Sequence, residues 1–498
     1  MEFNSIRFFF KDCKRFNFNN FNVTGINYDY RKVKLGNIYF AINIFNYKGK
    51  ERNGHEFVKE AVYRGARAVI LKEYHPGIDK SVCQIVCGNP RELLEKVSAF
   101  FYRYPAKKLY TIGVTGTKGK TTTVYLISHF LESAGIKTGF FSTADFKIGE
   151  KVIPNFTDKL NETHLSCPEA LEVQKYLSRM IKVGTKVVVV EATSHALKLN
   201  RAAQECHYDI GVLTNLQSDH LDFHKTLSDY YSSKGILFNL LSTSVNKGME
   251  KCAVFNVDDF NSFLIRNKTK CKIFTYGVNS KADIRPSTIE FSCSGIKFKI
   301  GKISFTSTLI GKHNLYNICA AIAAVRPFGL KFNQMRAGLK SFSGVPGRME
   351  EIKNNKGIRI FIDYAHTPES LKECLLTLRN FFPKRIVVIF GCAGGRDKTK
   401  RPLMGETATR LADLAIITSE DSREEDPKKI AIEITKRLKK RNFYIELNRD
   451  KAIHKAIKCA LPGDLIVITG KGDEKYMEIK GKQIPWSDKK AVLYSLKN

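Results

Sequence analysis

A glycine-rich segment with a lysine and a threonine at its end occupies residues 113–123, which read Gly-Val-Thr-Gly-Thr-Lys-Gly-Lys-Thr-Thr-Thr. It follows the apolar residues 109–112 and precedes a helical pattern at Val124–Ser133. Such a turn between a strand and a helix holds phosphates, because its backbone N–H groups face the anion, its lysine reaches the terminal phosphates and its threonine ligates Mg²⁺. The sequence therefore predicts a nucleoside triphosphate site formed by Gly116, Thr117, Lys118, Gly119, Lys120, Thr121 and Thr122.

One position departs from the general form of this motif. The general pattern asks for glycine five residues before Gly119, where the chain has Val114. Residues 115–121 keep the narrower form Thr-Gly-Thr-x-Gly-Lys-Thr. The alternative is a glycine-rich surface turn, and the flanking strand and helix disfavour it.

Length and composition indicate a large protein without a membrane span. A chain of 498 residues, with ~150 residues per domain, should hold about three domains. No apolar run approaches the ~18–20 residues of a transmembrane helix, and the N-terminus lacks the pattern of a secretory signal. The twelve cysteines have no paired metal spacing, which is typical of reduced thiols. We expect a cytoplasmic protein.

The net charge of +33 has two interpretations. It could indicate a nucleic-acid-binding protein, or a lysine-rich protein that acts on acidic small molecules. Lysines occur throughout the chain, and no arginine-rich tail or nucleic-acid motif accompanies them. We therefore expect no nucleic acid partner.

Hydrophobic patterning divides the chain into three blocks, residues 1–107, 108–344 and 345–498. The first has short alternating segments and a helix near Glu56–Arg64. The others alternate helices with buried strands, as at 186–190, 386–390, 414–417 and 465–468. This predicts an α/β protein of three domains: a small N-terminal α/β domain, a doubly wound central domain with the phosphate loop, and a Rossmann-like C-terminal domain.

Three further residues in the central block could do chemistry at the phosphates. Glu191 ends the apolar strand at 186–190, where a carboxylate can hold Mg²⁺, although a lone acid is more often a cap or an ion pair. His220 could serve a second metal or be structural. Lys234 lies on an amphipathic helix, where a solvated surface lysine is the alternative.

Together these segments resemble the Mur ligase family, the ATP-dependent amide ligases of peptidoglycan assembly. The resemblance covers nearly the whole chain and rests on segments whose order and spacing fit: 115–122, 191–197, 214–224, 234, 311–317, 347–350, 363–368, 391–405 and 423–427. It implies that Thr121 and Glu191 hold one Mg²⁺, and that His220 helps to hold a second one with Lys234, which CO₂ carboxylates to a carbamate. The resemblance also implies that the nucleotide contacts Asn314, Asn317, Arg348 and Asp363.

The family reaction joins an amino acid to a peptide carboxylate during cell wall biogenesis. The resemblance implies a UDP-N-acetylmuramoyl dipeptide, ATP and a diamino acid as substrates, and an acyl-phosphate intermediate. We expect a monomer. Closure of the third domain would assemble the site and exclude water. The competing hypotheses are another ligase of the superfamily, such as a folylpolyglutamate synthase, and a basic nucleic-acid-binding ATPase. The first block, which resembles a UDP-binding domain, disfavours the folylpolyglutamate synthase.

The resemblance assigns the UDP-linked substrate to Tyr30, Ser166, Cys167, Thr193 and Arg201. Here Tyr30 replaces a serine, and Leu165-Ser166-Cys167-Pro168 replaces the usual Asn-Thr-Thr-Pro. Leu199 also replaces a typical glutamine. Neutral drift around backbone contacts is the interpretation that we favour.

The resemblance assigns the amino acid to His366, Arg396, Glu420, Asp421, Arg423, Gly470 and Glu474. Relatives that use meso-diaminopimelate have Asp-Asn-Pro-Arg where this chain has Glu420-Asp421-Ser422-Arg423. The additional acids, Asp421 and Asp473, favour lysine or ornithine, whereas Arg423 and Glu474 favour diaminopimelate. The sequence predicts a basic diamino acid and leaves the choice among these three open.

Overall fold

The structure is a computed structural model, which describes residues 1–45, 51–154, 167–219, 221–382 and 384–498. These residues form two compact units: Met1–Pro286 with Tyr316–Gly338, and Ser287–Leu315 with Leu339–Asn498. Each of the three predicted blocks contains a sheet of its own, which confirms the predicted α/β class. The boundaries near 107 and 344 stay predictions. Within the described ranges, no helix is long and apolar enough to cross a membrane.

The first block forms a five-stranded sheet with two helices. Its elements are β1 (Lys14–Phe16), β2 (Gly25–Asn27), β3 (Asn37–Phe40), β4 (Ile44–Phe45), β5 (Glu51–Arg52), α1 (Val58–Tyr63), β6 (Ala66–Leu71), β7 (Cys83–Val86) and α2 (Pro90–Phe101). The strand order is β1-β7-β6-β3-β2, with only β1 antiparallel to its neighbour, and β4 pairs with β5 separately. The helix expected near Glu56–Arg64 is α1, preceded by a 3₁₀ turn at Gly54–Phe57.

The central block forms an eight-stranded sheet. Its elements are β8 (Tyr110–Thr115), α3 (Lys120–Ser133), β9 (Thr138–Phe141), β10 (Asp145–Ile148), β11 (Lys151–Pro154), α4 (Ala170–Lys182), β12 (Val187–Glu191), α5 (Ser194–Lys198), β13 (Ile210–Leu213), α6 (Leu221–His224), α7 (Leu227–Thr243), β14 (Cys252–Asn256), α8 (Phe263–Arg266) and β15 (Lys272–Tyr276). The order is β11-β10-β9-β12-β8-β13-β14-β15. The last six strands in this order, β9, β12, β8, β13, β14 and β15, are parallel.

The position of β8 explains where the central block binds its ligand. This strand lies between β12 and β13: the chain first builds β9 and β12 on one side of it and then β13 and β14 on the other side. Open α/β sheets bind ligands at the carboxyl ends of strands at such a reversal. The phosphate loop follows the carboxyl end of β8, and Glu191 ends the neighbouring β12, in which every residue is buried.

The second unit carries the C-terminal sheet and a three-stranded antiparallel sheet. The elements of the rest of the chain are β16 (Ser287–Ser292), β17 (Gly295–Ile300), β18 (Ile303–Ser307), α9 (Lys312–Val325), α10 (Phe332–Ser341), β19 (Glu350–Glu351), β20 (Arg359–Asp363), α11 (Pro368–Phe381), β21 (Ile386–Phe390), α12 (Lys400–Leu411), β22 (Leu414–Ile417), α13 (Pro427–Thr435), β23 (Phe443–Ile445), α14 (Arg449–Lys458), β24 (Leu465–Thr469), β25 (Tyr476–Ile479), β26 (Lys482–Pro485) and α15 (Asp488–Lys497). The boundary between the two units falls within α9 and again within α10.

The C-terminal sheet has the order β19-β20-β24-β21-β22-β23 and is parallel except for β19. Three of its six strands, β21, β22 and β24, lie where the sequence predicted strands from apolar runs, and they confirm that prediction. The predicted amino-acid residues follow the carboxyl ends of these strands: Glu420–Arg423 come after β22, and Gly470 comes after β24. The topology therefore gathers them at one edge of the sheet.

Candidate active site

The phosphate loop forms a tight turn that only glycine permits at two positions. The φ angles are +143° at Gly116 and +82° at Gly119. A Cβ atom at Gly116 would overlap the hydroxyl of Thr214, and one at Gly119 would overlap the side-chain amide of Asn317. The buried Val114 still belongs to β8, so the glycine of the general motif is not needed there.

The loop leads directly into α3, which begins at Lys120 rather than at Val124 as predicted. The first turn of a helix has N–H groups without partners inside the helix, and its positive end favours an anion. The Lys120 Nζ atom donates hydrogen bonds to the carbonyl oxygens of Thr117 at 2.9 Å and Gly116 at 3.1 Å. This arrangement keeps the ammonium group folded over the loop where phosphates would bind.

A second segment, residues 214–217, braces the phosphate loop. The N–H groups of Thr117 and Lys118 donate to the backbone and side-chain oxygens of Asn215, both at 2.9 Å. Gln217 N–H donates to the Thr117 hydroxyl at 2.9 Å. Because the amides of Thr117 and Lys118 already have protein partners, the amides at the start of α3 are better placed to receive phosphate oxygens.

Glu191 and Thr121 lie together beside the loop, as the sequence predicts. The Thr121 hydroxyl donates to Glu191 Oε2 at 3.0 Å, and the carboxylate is 2% exposed. Thr143, which the sequence did not single out, donates its N–H and its hydroxyl to the same carboxylate at 2.8 and 2.9 Å. Two adjacent oxygen donors of this kind fit Mg²⁺.

Within the described ranges, no three His, Cys, Asp or Glu side chains are placed to hold a metal. The predicted second metal ligand, His220, lies outside those ranges. Its neighbour in sequence, His224, is buried and lies 2.9 Å from the Ser194 hydroxyl.

Lys234 is buried against the phosphate loop and is not a surface lysine. Its side chain is 1% exposed, and Nζ donates to the carbonyl oxygen of Gly116 at 2.7 Å. Burial, and then the nearby charge of Lys120, lower the pKa of the Lys234 amine well below its usual value. A lysine whose neutral form is favoured in this way is a nucleophile.

The two asparagines assigned to the nucleotide occupy one helix, α9. Asn317 contacts Gly119 of the phosphate loop, as described above. Asn314 is three residues earlier, belongs to the second unit, and donates to the carbonyl oxygen of Ile310 at 2.9 Å.

The residues assigned to the UDP-linked substrate have several structural roles. The Tyr30 ring stacks on Phe57, with ring centroids 4.5 Å apart and planes at 4°. The Thr193 hydroxyl accepts a hydrogen bond from Ala196 N–H and caps α5. Cys167 is buried, which raises the pKa of its thiol, and Ser166 lies outside the described residues. The remaining residue, Arg201, is 5% exposed.

In the second unit, Asp363 and Arg348 lie around Tyr364. Asp363 accepts hydrogen bonds from Met349 N–H at 2.7 Å and Ala365 N–H at 2.9 Å. The Arg348 guanidinium carbon is 4.3 Å from the centroid of the Tyr364 ring. Burial raises the pKa of Asp363, while Arg348 opposes that shift. The structure therefore brings both residues predicted for the nucleotide together.

His366, from the same motif as Asp363, has a neutral ring. Burial, and then the charge of Lys400, lower its pKa to about 4. The Lys400 ammonium donates to the carbonyl oxygen of His366 at 2.9 Å. The His366 ring can therefore serve only as an uncharged donor or acceptor near pH 7.

Glu420, Arg423 and Gly470 form a charged cluster at the carboxyl edge of the C-terminal sheet. A Cβ atom on Gly470 would lie 2.5 Å from Glu420 Oε2. Among the described residues, Glu420 Oε2 and Arg423 Nη1 are buried without a hydrogen-bond partner. Burial, and then the neighbouring exposed Arg396, lower the pKa of Arg423. Arg423 Nε lies 3.4 Å from Glu478 Oε2, so the guanidinium has one ion-pair partner inside the protein. Glu420 Oε2 and Arg423 Nη1 are the atoms that can still receive a ligand.

The other two acids of this cluster have a partner inside the protein, Lys471. Its ammonium lies 2.7 Å from Asp421 Oδ1 and also pairs with Glu474. Asp421 accepts a second hydrogen bond from Glu478 N–H at 2.9 Å, and Glu474 accepts one from the Tyr364 hydroxyl at 3.2 Å. The sequence contained Lys471 in a Gly-Lys-Gly segment, but its role depends on a contact across the fold.

The doubly wound sheet, the phosphate loop and the carboxylate at the next strand define a nucleotide-binding α/β enzyme of the P-loop type. Comparison with known proteins gives the family. The model of the Mur ligase middle domain matches residues 114–325, and that of the Mur ligase glutamate ligase domain matches residues 347–472. The chain belongs to the Mur ligase family and is an ATP-dependent amide ligase.

Relatives match over nearly the whole length. UDP-N-acetylmuramoyl-L-alanyl-D-glutamate–2,6-diaminopimelate ligase of Bacillus cereus is 37% identical, covering 94% of this chain and 93% of the relative. A solved structure of a ligase of the same name has a TM-score of 0.63 at 30% identity, covering 95% and 94%. Folylpolyglutamate synthase of Mycobacterium tuberculosis has a TM-score of 0.59 at 16% identity and covers 76% of this chain and 91% of its own.

Proposed function

We propose that this protein joins a diamino acid to the carboxylate of UDP-N-acetylmuramoyl-L-alanyl-D-glutamate with cleavage of ATP to ADP and phosphate. The observation that carries the proposal is Lys234, a buried amine that bonds to the phosphate loop at Gly116. A nucleic-acid-stimulated ATPase has no evident need for such a residue. The named relatives with this activity support the same substrates.

The reaction has two steps. An oxygen of the substrate carboxylate attacks the γ-phosphorus of ATP, ADP leaves, and an acyl phosphate forms. The amino group of the diamino acid then attacks the acyl carbon, phosphate leaves, and the amine gives up its proton. Lys120 and the amides at the start of α3 stabilise the charge that develops on the phosphoryl oxygens.

Thr121 and Glu191 would hold Mg²⁺, which neutralises phosphate charge when bound. We propose that the Lys234 amine adds to CO₂ and loses a proton, forming a carbamate that serves a second Mg²⁺ together with His220. Two features support this modification: the amine is buried, and its charged form is disfavoured. An oxygen donor replaces a costly buried ammonium group.

For the diamino acid, we propose meso-diaminopimelate rather than lysine or ornithine. The argument for lysine and ornithine was the pair of additional acids Asp421 and Asp473, and Lys471 pairs with the first of these carboxylates. Two buried atoms on residues of opposite charge, Glu420 Oε2 and Arg423 Nη1, have no hydrogen-bond partner among the described residues, although Arg423 also forms an ion pair with Glu478. They suit a side chain that ends in both an ammonium and a carboxylate group, because Arg423 can receive the distal carboxylate.

Replacement of Arg423 by alanine tests this choice. We expect kcat/KM for meso-diaminopimelate to fall roughly 10²-fold, because an arginine–carboxylate pair is lost in a buried site. Turnover of lysine and ornithine should change little, since neither has a distal carboxylate. Competition assays that identify the products by mass spectrometry measure this ratio. Wild-type protein that prefers lysine to diaminopimelate would contradict the assignment.

Phosphate release tests the proposed function as a whole. We expect ADP and phosphate to accumulate only when ATP, the UDP-linked dipeptide and the diamino acid are all present. Oxygen-18 in the dipeptide carboxylate should appear in the released phosphate, as an acyl phosphate requires. Stimulation by DNA or RNA alone would instead support the basic ATPase. A glutamate-adding activity on folates would support the folylpolyglutamate synthase, whose solved example matches only 76% of this chain.

A further inference from the structure

Glu95, on α2, holds the chain segment that carries Arg201. The carboxylate is 1% exposed, and its Oε1 atom accepts hydrogen bonds from Ala203 N–H and Glu205 N–H, each at 3.0 Å. Residues 201–206 form bends and a single 3₁₀ turn. Their buried backbone groups therefore need partners from elsewhere in the fold. Glu95 provides two of these hydrogen bonds from a helix of the first block.

The same helix also supports the Arg201 side chain. Arg201 Nε lies 3.1 Å from Glu169 Oε1, and the other oxygen of Glu169 accepts a hydrogen bond from Arg91 Nη1 at 2.6 Å. Burial opposes the ionisation of Glu169, but Arg201 and Arg91 hold its pKa below the usual value. Arg91 and Glu95 are four residues apart and share one face of α2. Two residues of one helix turn thus fix the backbone and the guanidinium of the Arg201 segment.

We propose that Glu95 is a positioning residue for the UDP-linked substrate. It fixes the backbone just after Arg201 and so holds the guanidinium where an anionic group of that substrate binds. This inference rests on the proposed function and on the substrate role that the family resemblance assigns to Arg201. It means that the first block contributes to substrate affinity through the central block, in addition to any contact of its own.

Kinetics of Glu95→Ala and Glu95→Gln in the full chain test this role. Glutamine keeps an acceptor oxygen at the Oε1 position, whereas alanine leaves two buried N–H groups without a partner. We expect Glu95→Ala to raise KM for UDP-N-acetylmuramoyl-L-alanyl-D-glutamate about tenfold. The KM for ATP and kcat should change less than about threefold, and Glu95→Gln should behave nearly as wild type. Equal changes in every constant, or no change in this KM, would overturn the proposal.

A double-mutant cycle separates positioning from general destabilisation. In the Arg201→Ala background, Glu95→Ala should cause no further rise in this KM, because the group that it positions is absent. An additive rise would refute the role.

Should Glu95→Ala fail to fold by circular dichroism, Glu95→Asp withdraws the carboxylate by one methylene and should give a smaller rise of the same kind. Failure of the proposed function looks different: wild type would not turn over this substrate, or Arg201→Ala alone would leave its KM unchanged.

Discussion

Replacement of Lys120 by alanine is expected to abolish amide formation, with kcat reduced roughly 10³-fold or more. The lysine is the cation of the phosphate loop, and its Nζ atom lies over the carbonyl oxygens of Gly116 and Thr117. In the reaction it would follow the charge that develops on the transferring phosphoryl group, a role that neutral loop amides cannot replace. Coupled measurement of ADP release with all three substrates gives kcat.

The fold should survive this change. The Lys120 ammonium donates to two loop carbonyls, while the glycine geometry and the contacts of Asn215 that shape the loop do not involve its side chain. We expect a Tm within a few degrees of wild type by circular dichroism. The exposed Lys108, just before β8, provides the matched control, and Lys108→Ala should keep wild-type activity. Substantial amide formation by Lys120→Ala would contradict the assignment of the phosphate loop.

The sequence predicted those parts of the fold that depend on local pattern. Apolar runs such as that of β12 are typical of strands covered on both faces, and the structure places them at the centres of parallel sheets. The phosphate loop is equally local, because its glycines, lysine and threonine are consecutive. Even so, the helix begins at Lys120 and not at Val124. The three threonines at 121–123 have a modest helix propensity, so the sequence pattern did not indicate a helix there, but the tertiary context overrides that propensity.

The parts that the sequence could not predict depend on pairs of residues distant along the chain. Thr143, which follows β9, donates a hydrogen bond to Glu191 at the end of the neighbouring strand β12. Lys471 neutralises Asp421 across the C-terminal sheet. From composition alone, Asp421 is an additional acid facing the amino acid. In the fold it is one half of a buried ion pair, so the electrostatic argument for lysine or ornithine loses one of its two acids. The net charge around the amino acid therefore depends on which side chains the fold brings together at this edge of the sheet.

The burial of the Lys234 side chain likewise could not be predicted from the sequence. On a helix with polar and apolar residues, a solvated lysine was an open alternative, and only the packing of α7 under the phosphate loop decides against it. A buried amine with a lowered pKa has two possible fates. It can stay unmodified and bond to Gly116, as here, or it can react with CO₂.

Replacement of Lys234 by alanine distinguishes these two roles. If the residue acts as a carbamate, Lys234→Ala should lose roughly 10²-fold or more in kcat, since a metal ligand is absent. Formate or acetate should restore part of the activity by supplying a carboxylate in the vacated space. Lys234→Arg fills the space with a cation that cannot be carboxylated, so it should be inactive and insensitive to added carboxylates.

Removal of CO₂ provides the complementary measurement. Wild-type protein kept in CO₂-free buffer should lose activity and regain it when bicarbonate is added, whereas Lys234→Ala rescued by acetate should not respond. Incubation with ¹³CO₂ should give a carbamate signal in the NMR spectrum of wild type that is missing from Lys234→Ala. A fully active Lys234→Ala, or a wild type indifferent to CO₂ with no such signal, would leave Lys234 as a structural support of the Gly116 carbonyl and nothing more.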